Sequence, residues 1–266
     1  MEHAEKTGSP KEAIQWQGHD FSFRGMSGLE DACMSGAGHL TSFTGTDTIP
    51  AIDFLEQYYF ADSSKELIGG SVAATEHSVM CMGMKDSEYE TFVRLITEVY
   101  PTGILSIVSD TWDFWQVMTE YLPKLKNTIM ARDGRVVIRP DSGEPVDIIC
   151  GRKLIDINDI RDVYYTSEGN LDVSEYYTKT SPGKYREFTI EEIDLGNGNY
   201  LASIKLGKEV SLAEVKGAYE LMWEIFGGTT TPQGYKMLDT HIGLIYGDSI
   251  TLERQNKILN RLEAKG

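Results

Sequence analysis

Apolar runs along this chain repeatedly end on charged residues. The stretch RVVIRPDSG (135–143) places Val136, Val137 and Ile138 in a row and then sets Arg139 and Asp141 two residues apart. GILSIVSDTWD (103–113) ends its apolar run on Ser109 and Asp110, and GGSVAATEHS (69–78) closes on Glu76 and His77. HLTSFTGTDT (39–48) leads to Asp47, and THIGLIYGDS (240–249) to Gly247 and Asp248. Helical spacing follows most of these runs. Residues 51–60 read as an amphipathic helix, and residues 86–100 as another, with Phe92, Leu95, Ile96 and Val99 inward and Asp86 or Ser87 as N-cap. TWDFWQVMTEYL (111–122) predicts a helix capped by Thr111. Residues 211–228 predict one capped by Ser211 and stopped by paired glycines, and 249–266 a polar-faced one.

Strand alternating with helix predicts a parallel α/β sheet, and near-continuous apolar runs predict strands covered on both faces. In a parallel barrel the C-terminal ends of the strands open on one face, so the residues that close these runs converge on a shared cleft. A single such residue serves equally well as a helix cap; five strand ends of this kind argue for a site. The rhythm breaks between 151 and 210, where Tyr, Thr, Gly and Asn are frequent and SPG (181–183) and GNGN (196–199) signal turns. The chain thus divides into a polar lead (1–17), an α/β-barrel part (18–150 and 211–266) and a small β-rich insertion (151–210).

Composition narrows the partners. Acidic residues outnumber basic ones by 41 to 25 in 266 residues, a net charge of -16 that argues against nucleic acid or an anionic membrane as a bulk partner. No run approaches the length of a membrane span, the first residues lack the apolar core of a signal peptide, and three scattered cysteines fit a reducing, cytoplasmic setting near the core.

Arginine holds phosphate bidentately and keeps its charge, so Arg24 and Arg139 among carboxylates suit a phosphorylated ligand with a divalent cation. Asp110 and Asp141 suit metal or sugar hydroxyls; for the Arg139/Asp141 pair an internal salt bridge is the competing reading. His77 beside Glu76 can be oriented as a base or nucleophile, or can be a hydrogen-bonded structural histidine. Phe21 and Phe23 in an extended segment point to opposite faces, one to core and one to a ligand ring. His39 reads as the start of a strand. His3 and His241 have no supporting neighbours, and His19 begins the Phe21 segment.

HDFSFRGMSG, GTDT, AATEHS, IVSDTWD, IRPDSGEP and YGDS, in that order, resemble the nicotinamide phosphoribosyltransferase family over about 18–150 and 234–260. The resemblance implies a partial barrel of the type II phosphoribosyltransferase kind. It implies transfer of phosphoribose from phosphoribosyl pyrophosphate to nicotinamide with Mg²⁺. By resemblance, Phe21 stacks on nicotinamide and Asp47 accepts from its carboxamide. Arg24, His77 and Arg139 surround pyrophosphate and phosphate, and His77 is phosphorylated by ATP. Asp110 and Asp141 lie near ribose, metal or nicotinamide, and Gly247 and Asp248 form a ribose- and phosphate-side turn. A carboxylate at position 47 favours the amide over nicotinic acid, so a nicotinate enzyme is the less favoured reading. Family members carry more chain before the HDF motif and after YGDS. The expectations are therefore a homodimer or a complementing chain that closes the barrel, or else an inactive fragment.

Overall fold

The computed structural model describes residues 2–167, 169–196 and 199–266. Its strands are His19–Asp20 (β1), Gly45–Thr46 (β2), Ala73–Ala74 (β3), Thr102–Val108 (β4), Asp133–Arg139 (β5), Lys153–Asp156 (β6), Tyr176–Ser181 (β7), Lys184–Gly196 (β8), Asn199–Val210 (β9), Gly228–Thr230 (β10), Lys236–Leu238 (β11) and Ile242–Leu244 (β12).

The principal sheet has the order β12-β5-β4-β3, all parallel, and β1 pairs in parallel with β2. The segment leading into β3 connects these pieces. Gly70 bridges Gly45 in parallel, while Ala73 and Ala74 pair with Leu105 and Ser106. The parallel strands therefore follow one another in the order β1, β2, β3, β4, β5, β12, as an arc with an edge at each end. The fold is mixed α/β with parallel sheets. A closed barrel is not formed by the described strands.

Helices cover this sheet. Phe92, Met118, Leu122 and Met222 are fully buried on the helices and meet Leu105, Ile107 and Ile138 of the strands. Strands buried on both faces need continuous apolar runs, which is why β4 and β5 are conspicuous in the sequence. Helix Glu88–Arg94 widens into a π-helical turn over Leu95–Val99. Its Phe92, Leu95 and Ile96 face inward as predicted, but Val99 is exposed, because the wider turn rotates it off the apolar stripe. Arg132 holds the end of this helix: its guanidinium donates to the carbonyls of Ile96, Tyr100 and Gly103.

Several local expectations are corrected. Phe21 and Phe23 do not alternate along an extended segment, since Ser22–Gly25 forms a 3₁₀ turn. His39 lies in the last turn of helix Leu29–Leu40 and starts no strand. Neither Asp86 nor Ser87 caps by its side chain, and the cap after β4 is Asp113, which accepts from the Gln116 N–H, not Thr111. Ser211 does cap, in a reciprocal box with Glu214, but the helix is interrupted. At Gly217 (φ 80°) it divides into Leu212–Lys216 and Ala218–Phe226, because a Cβ there would sit 2.2 Å from the Gly151 nitrogen. Cys33 and Cys150 are buried and Cys81 is exposed.

Residues 151–210 form a second sheet, β6-β7-β8-β9, with the short helix Ile160–Thr166 packed on it around Ile155, Ile160 and Phe188. β8 and β9 are an antiparallel hairpin whose register runs to Gly196 opposite Asn199. The centre of the GNGN turn, Asn197 and Gly198, lies outside the described residues. Among the described residues no helix is long and apolar enough to cross a membrane.

Candidate functional site

Each parallel strand delivers its chemistry at its C-terminal end. β1 runs into Phe21 and Arg24, β2 into Asp47 and β3 into Glu76 and His77. β4 leads to Asp110, β5 to Arg139 and Asp141, and β12 to Gly247 and Asp248.

Arg139 is 5% exposed and lies at the centre of the arrangement. Its Nε is 3.5 Å from Asp141 Oδ1, its Nη2 is 3.9 Å from Glu76 Oε2, and its guanidinium carbon stands 5.6 Å from the centre of the Phe21 ring. These are ion pairs longer than hydrogen bonds. Arg139 Nε and Asp141 Oδ1 have no hydrogen-bond partner among the described residues. The competing salt-bridge reading of the pair is thus met in part: the charges neutralise one another, yet hydrogen-bonding capacity is left over. Glu76 also receives Arg24, Nη2 to Oε1 at 3.3 Å, on an arginine whose side chain is 77% exposed. Glu76 therefore bridges two arginines and does not orient its neighbour His77.

His77 turns to two aspartates. Its Nε2 is 3.1 Å from Asp110 Oδ1, and its Nδ1 is 3.9 Å from Asp141 Oδ2. The other oxygen of Asp110 accepts from the backbone N–H of Asp141, the N–H of Ser142 and the Ser142 hydroxyl. Burial pushes the Asp110 carboxyl up, but these donors and His77 together hold it below the usual carboxylate range. Asp141 goes the other way: burial, with Asp110 and Glu76 as like charges, raises it against Arg139 and His77. Two neighbouring carboxylates are thereby driven apart in proton affinity, a recurrent property of functional sites.

A second cluster borders the first. Asp47 Oδ1 is 2.8 Å from His19 Nε2 and accepts from Ser71 Oγ at 2.6 Å. The His19 hydrogen bond is the largest of the influences that lower the Asp47 pKa. The rings of His19 and Phe21 are 4.4 Å apart at 31°. Arg139 touches both clusters, since its charge also helps lower Asp47.

Gly247 packs directly on Asp141, so that a Cβ at this position would lie 1.8 Å from Asp141 Oδ1. Asp248 is exposed; its carboxylate accepts from the neighbouring Ser249 hydroxyl and makes no hydrogen bond or ion pair with the cluster among the described residues. Of the residues singled out from sequence, Phe21, Arg24, Asp47, His77, Asp110, Arg139 and Asp141 are joined by these contacts, Gly247 abuts Asp141, and Asp248 stands at the margin. Sequence reasoning assigned no role to His19, Ser71 or Ser142. All three lie inside stretches already noted, but a hydroxyl or imidazole that grips a carboxylate has no spacing signature of its own. Among the described residues no group of three His, Cys, Asp or Glu side chains is placed to hold a metal ion alone.

The steric relation of Gly247 to Asp141 gives one expected result. In Gly247→Ala the methyl group displaces the end of a flexible side chain, not backbone, so the thermal midpoint changes by only a few degrees. Asp141 swings away from Arg139, and its carboxyl, losing the arginine's charge, rises further, as read by carbon NMR through a pH titration against the unaltered chain.

Parallel strands that carry a cluster of charged side chains at their carboxyl edge define the class: an α/β protein with its candidate site where such folds place one. The chain belongs to the nicotinate phosphoribosyltransferase (NAPRTase) family, which it matches over residues 16–266. It is 47% identical to a nicotinamide phosphoribosyltransferase of Acinetobacter baylyi over 271 aligned residues, covering 100% of this chain and 43% of that protein. It is 31% identical to one from Mycoplasma pneumoniae, covering 99% of this chain and 44% of the relative. The chain thus spans less than half the length of these curated relatives.

Proposed function

We propose that this cleft transfers phosphoribose from phosphoribosyl pyrophosphate to nicotinamide, forming nicotinamide mononucleotide and pyrophosphate. The observation that supports this reading best is the pair of adjoining clusters. One combines an aromatic ring with an acceptor carboxylate, the other a buried arginine with hydrogen-bonding capacity to spare, and Arg139 connects them. In this reading Phe21 stacks on the pyridine ring and Asp47 accepts from the carboxamide N–H. Arg24 and Arg139 hold pyrophosphate. The C1–O bond to pyrophosphate breaks as the C1–N bond to nicotinamide forms, and the cation-like sugar between them is stabilised by Asp110 and Asp141. His77, gripped by Asp110, is the candidate for phosphorylation by ATP. Gly247 keeps Asp141 in place, and Asp248 lies on the ribose- and phosphate-side turn.

Magnesium fits as an ion that arrives with the pyrophosphate, because the partly exposed carboxylate of Asp141 lies among these groups while no full cage of acids is present among the described residues. Bound there, it would neutralise charge on the departing group. Nicotinic acid is the weaker substrate in this reading, since Asp47 is held ionised and would face a second carboxylate.

The parallel arc supports a barrel of the type II phosphoribosyltransferase kind, with 151–210 as an insertion and 1–17 as a lead. Its open edges at β1 and β12 call for further strands, from a second copy or a complementing chain. Cytoplasmic location is part of the same reading. The test is an assay of nicotinamide mononucleotide formation by the chain alone and after mixing with a polypeptide carrying the remaining family segments. Activity only in the mixture, with nicotinamide preferred, is the expected result. Activity of the chain alone removes the need for a complement, faster turnover of nicotinate overturns the substrate, and no turnover in either case leaves the inactive-fragment reading.

A further inference from the structure

Asp47 is fixed before any ligand arrives. A carboxylate only accepts, so His19 Nε2, 2.8 Å away, is the protonated ring nitrogen, and Ser71 Oγ donates to the same oxygen at 2.6 Å. Both bonds fall on Oδ1. Oδ2 accepts none among the described residues, although 41% of the side chain is open to solvent. His19 is itself held. Its side chain is 14% exposed, its ring lies 4.4 Å from that of Phe21, and Gly45 makes room for it, because a Cβ at Gly45 would come within 2.7 Å of Nδ1. One imidazole therefore ties the ring-stacking side chain to the carboxylate beside it.

We propose that His19 is the positioning residue that sets amide-over-acid specificity at this cleft: with Ser71 it saturates Oδ1 and presents Oδ2 as a single acceptor at a fixed distance from the Phe21 ring. A heteroaromatic carboxamide stacked on Phe21 then finds its N–H bonded. A heteroaromatic carboxylate in the same pose meets an oxygen that cannot turn away. Specificity comes from fixing the acceptor as much as from its charge. An untethered Asp47 would still be ionised at neutral pH, because its ordinary pKa is 3.8, but it could rotate to relieve the repulsion and would have to be ordered again by the amide.

The inference rests on the nicotinamide reading, and the experiment separates the two. Nicotinamide and nicotinate affinities, and the KM and kcat for each in the complemented enzyme, are measured for the unaltered protein, His19→Leu, His19→Gln and Ser71→Ala. His19→Leu is expected to raise KM for nicotinamide about tenfold with a smaller change in kcat, and to lower the nicotinamide-to-nicotinate ratio by a similar factor. Ser71→Ala, which leaves the His19–Phe21 contact alone, shifts the ratio in the same direction. His19→Gln, whose amide reaches the region of Nε2, restores most of it. The Asp47 carboxyl, followed by carbon NMR through a pH titration, moves up in His19→Leu, and this readout does not need turnover. An unchanged ratio in both His19→Leu and Ser71→Ala, or an unmoved Asp47 titration, overturns the role of His19 and leaves the nicotinamide reading standing. An unaltered protein that binds no nicotinamide sinks both.

Discussion

Arg139→Leu is expected to lower the proposed phosphoribosyl transfer, assayed in the complemented protein, by about three orders of magnitude, the size of effect seen when a preorganised charge donor is removed from a reacting centre. The reason lies in how the arginine is held. It is 5% exposed and ends a fully paired parallel strand, so its position is set by the sheet. Its acidic neighbours are 3.5 and 3.9 Å away, near enough to hold the charge and too far to consume its N–H groups. Incoming phosphate oxygens can therefore be bound without first breaking a hydrogen bond. The leucine variant also leaves Glu76 and Asp141 beside an apolar side chain. Only the arginine of these pairs is buried, so the loss is roughly 2 kcal/mol, below that of a fully buried pair, and the Asp141 carboxyl rises further. Arg139→Lys separates the two effects: it keeps the charge and most of the stability but lacks the planar fork, so activity falls between the parent and the leucine variant. The measurements are kcat/KM, the dissociation constant for phosphoribosyl pyrophosphate, and the thermal midpoint of each protein. Leucine-variant activity within tenfold of the parent would remove Arg139 from the proposed chemistry.

The features legible in the sequence were those with a strong periodic cause. The C-terminal halves of β4 and β5 are largely buried, so Leu105–Val108, broken only by the buried Ser106, and Val136–Ile138 read as nearly continuous apolar runs, and the polar residue after each marks its strand end. That gave Asp110, Arg139 and Asp141 their place in one cleft. Helix Leu29–Leu40 went unnoticed because its inward face is made of small residues. Gly36 packs so closely that a Cβ would lie 2.8 Å from that of Ala51, and such a face carries little hydrophobic pattern. β1, β2 and β3 are two residues each, too short for any alternation to be read. The break at Gly217 depends on Gly151, 66 positions earlier, and no local window contains that contact. The pairing of charges was also hidden. Adjacency suggested that Glu76 serves His77, but successive residues at a strand end point in different directions. Glu76 goes to the arginines, while His77 reaches Asp110 on the next strand.

Glu88 is expected to make the chain lose stability as pH rises from about 4.5 to 7. It opens helix Glu88–Arg94, is 1% exposed, and neither carboxyl oxygen has a hydrogen-bond partner among the described residues. Burial, reinforced by the negative charge of Asp113, raises its pKa from 4.5 to about 7; Lys85 and the nearby Tyr121 hydroxyl oppose this without prevailing. A carboxyl that is protonated in the fold and ionised in the unfolded chain stabilises fully below the unfolded pKa. That contribution fades as pH climbs through the folded pKa, at about 1.4 kcal/mol per unit, so roughly 3 kcal/mol is lost by pH 8. Glu88→Gln keeps the shape and removes the proton equilibrium. It should match the parent near pH 4.5 and exceed it by roughly 3 kcal/mol at pH 8, where all other titrating groups are common to both and cancel. Urea unfolding of the two proteins at pH 5, 6, 7 and 8 provides the comparison; parallel curves would mean that Glu88 is ionised in the fold and that its charge is met by Lys85. The position also bears on function. Asp113 caps the helix that begins four residues after Asp110, so an ionised Glu88 repels the cap of the element that follows the site's most firmly held carboxylate. The site and this buried acid therefore share one support, and the glutamine variant should strengthen it without touching any residue of the cleft.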